Sequence, residues 1–248
     1  MTGVSDEQLA AMRAGGKIMA RIFRELKEET KVGVNEKSLA DFVEQKIIEY
    51  GAEVAYYEPE PDFPAAICIS VNDELIHGIP EDRELEDGDK ISFDLVIKYQ
   101  GYYVDSAFTM VVGESSAAQK HLLRTTEEAL YAGIEQVKPG ARLGDVGHAV
   151  EAVLKRGGLG VVMEYVGHGI GATMHQPPEV PNYGKKGTGE ILRTGDFICI
   201  EPMASLGKAK TKVGADGWTV FLKDGSLGAH FEHTILVTED AYEIITQE

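Results

Sequence analysis

The 248-residue sequence predicts an α+β fold in two pseudo-symmetric halves, roughly residues 5–112 and 116–240. Three observations carry that expectation. Segments of helical period come in pairs, and each pair leads into short apolar runs of strand character. A single offset of 107 residues lays one such unit on the other. An acidic residue follows an equivalent strand in each half.

Apolar residues recur at helical spacing from Glu7 to about Leu26, with Ser5 or Asp6 as the candidate N-cap. A second helix starts near Asn35 or Lys37 and runs to Tyr50, where Gly51 closes it. Strand-like runs cover 65–71, 90–98 and 102–112. Helices resume over 116–137 and 143–156, the second stopped by Gly157-Gly158. The remainder reads as extended over 159–166, 196–205, 218–222 and 230–237, with Gly- and Pro-rich loops between. Residues 182–191 read as a surface loop to which no function is assigned.

The repeat aligns "KVGVNEKSLADFVEQKIIEYGAEV" from Lys31 with "KPGARLGDVGHAVEAVLKRGGLGVV" from Lys138. Gly33 then matches Gly140, Glu44 matches Glu151, and Gly51 matches Gly158. The same offset aligns Gly88-Asp89 with Gly195-Asp196 and lands Asp94 on Glu201. Chance likeness of two helix–strand units is the plain alternative, but one offset held across both blocks favours duplication. Two related halves that each supply an acid predict a site on the axis between them.

Composition narrows the partners. A net charge of −17 argues against nucleic acid or an anionic membrane as the main partner. The sequence shows no run of membrane-spanning length and no signal-peptide pattern, which points to the cytoplasm. Cys68 and Cys199 sit in the apolar runs "AAICIS" and "DFICIE", and are expected as lone buried thiols.

The acids carry the chemistry. In "ISFDLVIKYQGYYVDSA" (91–107), a reversal centred on Tyr99 and Gln100 would set Asp94 directly opposite Asp105. Like charges so placed destabilise a hairpin unless a cation lies between them. Glu201 in "ICIEPMAS" and Glu232 in "HFEHTILV" also interrupt apolar strands, and "YVGHGIGATMHQPPEV" carries His168 and His175. Taken singly, each acid could face solvent and each histidine could serve a turn. Together, four carboxylates need neutralising, and the segment 91–107 offers only Lys98, at the turn. Divalent metal is the simplest counter-charge. An oxygen-rich set with one imidazole favours Mn²⁺, Fe²⁺ or Co²⁺ over a thiolate-type structural zinc site. Two such ions ~3.5–4 Å apart activate water for hydrolysis, aminopeptidases being among the enzymes known to do so.

These motifs, with "SVNDELIHGIP" at 70–80, resemble the type I methionine aminopeptidases over nearly the whole chain, from about Asp6 to Thr246. The resemblance implies a pita-bread fold, an antiparallel sheet covered by helices, forming a single catalytic domain over residues 1–248. It implies two divalent ions (Co, Mn, Fe or Zn), with Asp94 on one, His168 and Glu201 on the other, and Asp105 and Glu232 bridging. Glu201 would move the proton of the attacking water, His175 would steady the carbonyl oxygen, and His77 would contact the peptide near the leaving nitrogen. Trp218, Met203, Cys68, Phe63 and Met174 would line the side-chain pocket. The pocket departs from the family pattern within "AYYEPEPDFP", where Phe63 replaces an expected tyrosine and Glu60 falls at another aromatic position, and again just before His175, where Met174 stands in place of the Phe of many relatives. The expected partner is the N-terminal peptide of nascent proteins, with no membrane and no direct nucleic-acid contact, and the protein is expected to be a monomer. The competing readings are a pita-bread aminopeptidase of X-Pro type and a non-catalytic pita-bread binding module.

Overall fold

The computed structural model describes residues 4–58 and 62–247. Helix α1 (Asp6–Glu29) starts where the Ser5 side chain accepts the Gln8 N–H at 3.0 Å. It buries Met12, Met19, Ile22, Phe23 and Leu26 along one stripe. Gly16 interrupts that stripe because Ile245 O crosses there; a Cβ would stand 1.9 Å from it. Helix α2 (Glu36–Glu49) is capped by Asn35, whose side chain accepts from Lys37 N at 2.9 Å. The chain then gives β1 (Glu53–Val54), a single 3₁₀ turn (Ala55–Tyr57), β2 (Cys68–Val71) and β3 (Glu74–Ile76). The long hairpin of β4 (Lys90–Tyr99) and β5 (Tyr102–Val111) completes this half.

Helices α3 (Ala117–Ile134) and α4 (Leu143–Arg156) follow, then β6 (Gly160–Val161), β7 (Gly167–Gly169), β8 (Gln176–Val180) and β9 (Phe197–Ile200). The last strands are β10 (Met203–Ser205), β11 (Thr211–Val213), β12 (Val220–Leu222), β13 (Gly228–His230), β14 (Glu232–Val237) and β15 (Tyr242–Ile244). The main sheet runs β1-β4-β5-β14-β9-β7-β8, with β2 also on β4 and β15 also on β14. Two small sheets, β13-β10-β6 and β11-β12-β3, flank it. Pairing among the named strands is antiparallel throughout.

Helices cover one face of the main sheet. Phe23 of α1 meets Phe108 of β5 edge-on, with centroids 4.7 Å apart, and Gly133 of α3 approaches Ile200 of β9. Because side chains alternate along a strand, Asp94, Asp105, Ala107 and Glu232 belong to the opposite face.

Residues 107 apart share backbone geometry. α2 and α4 each have 14 residues and start at that offset. Isolated bridges join Asn35 to Glu84 and Arg142 to Ile191. The pairs Gly33/Gly140, Gly51/Gly158 and Gly88/Gly195 all adopt positive φ.

Several expectations need correction. The hairpin turns on Gln100-Gly101, with Tyr99 opposite Tyr102. Asp94 therefore faces Ala107 and Asp105 faces Val96, so the two aspartates are diagonal neighbours on one face. The physical reason is the turn: φ is +50 at Gln100 and +85 at Gly101, the two-residue geometry that matches strand twist. The extended run 196–205 breaks at Glu201-Pro202 into β9 and β10, and strand over 159–166 is confined to Gly160–Val161.

Candidate metal centre

Two rows of side chains on the uncovered sheet face build the site. The first is Asp94 (β4), Ala107 (β5) and Glu232 (β14), held by the pairings Asp94–Ala107 and Ala107–Glu232. Continuing the β14–β9 register past His233–Ile200 sets Glu201 beside Glu232. The second row is Val96, Asp105, Thr234 and Cys199. Here Thr234 Oγ1 accepts the Asp105 N–H at 3.0 Å and donates to the Asp105 carbonyl at 2.8 Å. The β7–β9 register, through Gly169–Ile198, extends this row to His168. Glycines flank His168 because β8 and β9 press close: a Cβ at Gly167 would lie 2.2 Å from Cys199 O, and one at Gly169 would lie 2.4 Å from Pro177 O.

The resulting cluster is buried and acidic. His168 Nε2 lies 3.6 Å from Asp105 Oδ2 and 3.8 Å from Glu201 Oε1. Its Nδ1 is engaged with Gly169 O at 2.9 Å, which leaves Nε2 for the cluster. Burial opposes charge on His168, yet the contact with Asp105 and the charges of Glu201 and Asp105 outweigh it and raise its pKa to about 9. Burial pushes Glu201 and Glu232 well above the ordinary carboxylate range, and neighbouring carboxylates add to the rise at Glu232. Asp94 is raised by burial and by Asp105. Tyr56 Oη donates to Asp94 Oδ1 at 2.7 Å. Among the described residues, Asp105 Oδ1 and Glu232 Oε1 are buried without a hydrogen-bond partner. Orphaned, crowded carboxylate oxygens of this kind call for a cation, and the donor set fits divalent metal. One ligand atom from each of Asp105, His168, Cys199 and Glu232 lies within 4.8 Å of the others. Cys199 stands in this group, but burial and the charge of Glu232 hold its thiol protonated, and its Sγ pairs with Thr234 Oγ1 at 3.6 Å.

The acids open into a cavity of about 1000 Å³. His77, Cys68, Phe63, Met174, His175 and Trp218 all line it, as expected from the sequence. Phe63 and Trp218 meet edge-on with centroids 5.3 Å apart, and the Tyr56 ring also lies 5.3 Å from Phe63. Met203 does not line the cavity: it is fully buried with Leu75, Ile76, Val220 and Leu222, because β10 turns its side chain toward the small sheets. Glu60 lies outside the described residues. Burial, and then the neighbouring His168, lower the His175 pKa to about 4. The rings of His168 and His175 meet edge-on, centroids 4.4 Å apart.

A buried network presents His77, whose φ is +57. Gly78 N donates to Ser70 Oγ at 3.0 Å, and Lys90 Nζ donates to Ser70 O at 3.2 Å and Glu74 O at 2.8 Å. Arg83 bridges Glu74 to the fully buried Glu36. Sequence reasoning missed Tyr56 and His230, which stands 3.7 Å from Glu201. It also missed the 182–191 loop, whose Tyr183, Gly184 and Thr188 wall the cavity. That loop is drawn in because Gly144 and Gly147 of α4 leave room for it: a Cβ at Gly147 would lie 2.3 Å from Tyr183 O.

A cleft of carboxylates and imidazoles fit for divalent cations, with an aromatic pocket beside it, defines a metal-dependent hydrolase. Comparison with known proteins agrees. The model of metallopeptidase family M24 matches residues 10–239, and the chain belongs to that family. It is 43% identical over 240 residues to methionine aminopeptidase 1 of Bacillus subtilis (strain 168), covering 97% of this chain and 96% of the relative. It is 43% identical over 244 residues to a methionine aminopeptidase of Mycoplasma capricolum, covering 98% and 97%. The crystal structure of methionine aminopeptidase from Thermotoga maritima superimposes with a TM-score of 0.96 at 39% identity, over 99% of this chain and 98% of that one. Prolidase from Pyrococcus furiosus, at 23% identity and a TM-score of 0.78, shares the pita-bread fold.

Proposed function

We propose that this chain is a methionine aminopeptidase that removes the initiator methionine from nascent proteins. It acts as a single catalytic domain of two duplicated halves, monomeric and cytoplasmic. The observation that carries this reading is the juxtaposition of orphaned carboxylate oxygens at Asp105 and Glu232 with a cavity lined by Phe63, Met174 and Trp218.

Asp94, Asp105, His168, Glu201 and Glu232 would hold a pair of divalent ions. Bound there, the ions would supply the Lewis acidity that activating water and polarising the peptide carbonyl require. Glu201 takes the proton of the attacking water and delivers it to the departing amine. With its pKa lowered, His175 is neutral at physiological pH and offers an N–H to the carbonyl oxygen as negative charge develops there. His77 contacts the peptide at the leaving nitrogen. The Phe63–Trp218 pair and the flexible thioether of Met174 pack against the methionine side chain.

Incubation of the protein with Met-Ala-Ser and Mn²⁺ or Co²⁺ is expected to release free methionine, and a chelator is expected to stop it. Absence of turnover across several divalent metals overturns the assignment, and preferential cleavage of Ala-Pro peptides replaces it with the X-Pro reading.

A further inference from the structure

We propose that His230 is a further protein ligand of the metal centre, giving it a second imidazole beside His168. The inference rests on the metal-binding reading above. His230 ends β13 and is pinned to β5: its N–H donates to Thr109 Oγ1 at 2.9 Å, and its carbonyl accepts from the same hydroxyl at 2.8 Å. The residue is 1% exposed, and neither ring nitrogen has a hydrogen-bond partner among the described residues.

The surroundings of that ring are those of a ligand. Nε2 lies 3.7 Å from Glu201 Oε2 and 4.0 Å from Glu232 Oε2. His168 Nε2 stands in the same relation to Asp105 and Glu201, at 3.6 and 3.8 Å. Glu201 is thus flanked by two imidazoles, one near each carboxylate oxygen. The other ring nitrogen, Nδ1, faces Asp94 Oδ2 at 3.9 Å. A neutral imidazole has one N–H and one lone pair. The N–H can serve Asp94. Nε2 makes no hydrogen bond among the described residues although two carboxyl groups stand near it, and a cation held by Glu201 and Glu232 completes its lone pair. His230 is not among the residues that line the cavity, so it reaches the centre without contacting the substrate pocket.

The test is X-ray absorption of the Co²⁺-loaded full chain, with calorimetric titration of Co²⁺ into the metal-free protein. The expected result is two imidazoles per two-metal centre in the wild type and one in His230→Gln. Metal affinity is expected to fall about 10-fold or more in the variant, while metal-free His230→Gln still unfolds cooperatively. One imidazole in an active wild-type enzyme overturns the role of His230 and leaves the proposed function standing. A wild type that binds no divalent metal removes both. Should His230→Gln fail to fold, the wild-type imidazole count decides alone.

Discussion

Asp94 and Glu232 stand in one row across the main sheet, two strands apart, with Ala107 between them in that row. Neighbouring strands are about 4.8 Å apart, so the two carboxylates face each other over a gap that a larger side chain would fill. Ala107 is the residue that keeps this space open. Ala107→Val is expected to abolish the rise in Tm that saturating Mn²⁺ gives the wild type, with the metal-free variant still folding cooperatively. Overpacking of this size costs about 1–3 kcal/mol, so the readout is the metal-induced shift and not the absolute Tm. An equal shift in both proteins would show that the gap is not where metal binds.

Tyr56 fixes one oxygen of Asp94 with a 2.7 Å hydrogen bond, leaving Oδ2 to face the cluster. Tyr56→Phe removes that anchor and keeps the ring packed on Phe63. Metal affinity is expected to fall roughly 10-fold, the scale set by partners that orient ligands. Excess metal is expected to restore most of the turnover. Unchanged affinity by calorimetry would assign Tyr56 to packing alone.

His175 touches the cavity and is held neutral near pH 7 by burial and by His168. His175→Ala is expected to lower kcat by about 10²–10³-fold, the loss of one donor to the developing oxyanion. Metal content, measured by atomic emission, is expected to stay at the wild-type value. Loss of metal in this variant would instead make His175 a ligand.

Lys90 is fully buried, and burial lowers its pKa to about 7 although it donates to two backbone carbonyls. Below about pH 7 both folded and unfolded chains carry its proton, and the cost of burying the charge is complete. Between about 7 and the unfolded value near 10.4, the folded chain has released the proton and the unfolded chain has not. Stability from this group therefore rises with pH across that window. In metal-free protein, denaturant unfolding is expected to give Lys90→Met a flatter dependence than wild type between pH 7 and 10. The difference in slope should sum to the order of a few kcal/mol. Parallel curves would place the Lys90 pKa outside the window.

Much of this architecture was legible because its signals are local. α4 was read at its observed limits, and α2 near its own, from capping residues and terminal glycines. The acids at 94, 105, 201 and 232 and His168 stood out because charges interrupt apolar strands, and the fold does gather them on one face. The hairpin register was misread because Gly101 is the turn signal, and centring on Tyr99 and Gln100 ignored it. Strands β3, β7, β8 and β11 have three to five residues each, too few for a periodic pattern, and tertiary pairing alone makes them extended. His230 is two residues from Glu232, a spacing that could have flagged it, but its neighbours across the site come from distant segments. Tyr56 gave no signal: its value lies in a contact 38 positions away.

Strand β14 is the seam of the main sheet, where it joins β5 of the first half to β9 of the second. During synthesis it leaves the ribosome after every other strand of that path, so until then both halves present unpaired edges. Closure of this sheet waits for β14, and the same event that zips it delivers Glu232. A chain cut short ahead of this strand lacks Glu232 and is expected to leave the edges of β5 and β9 open to other chains.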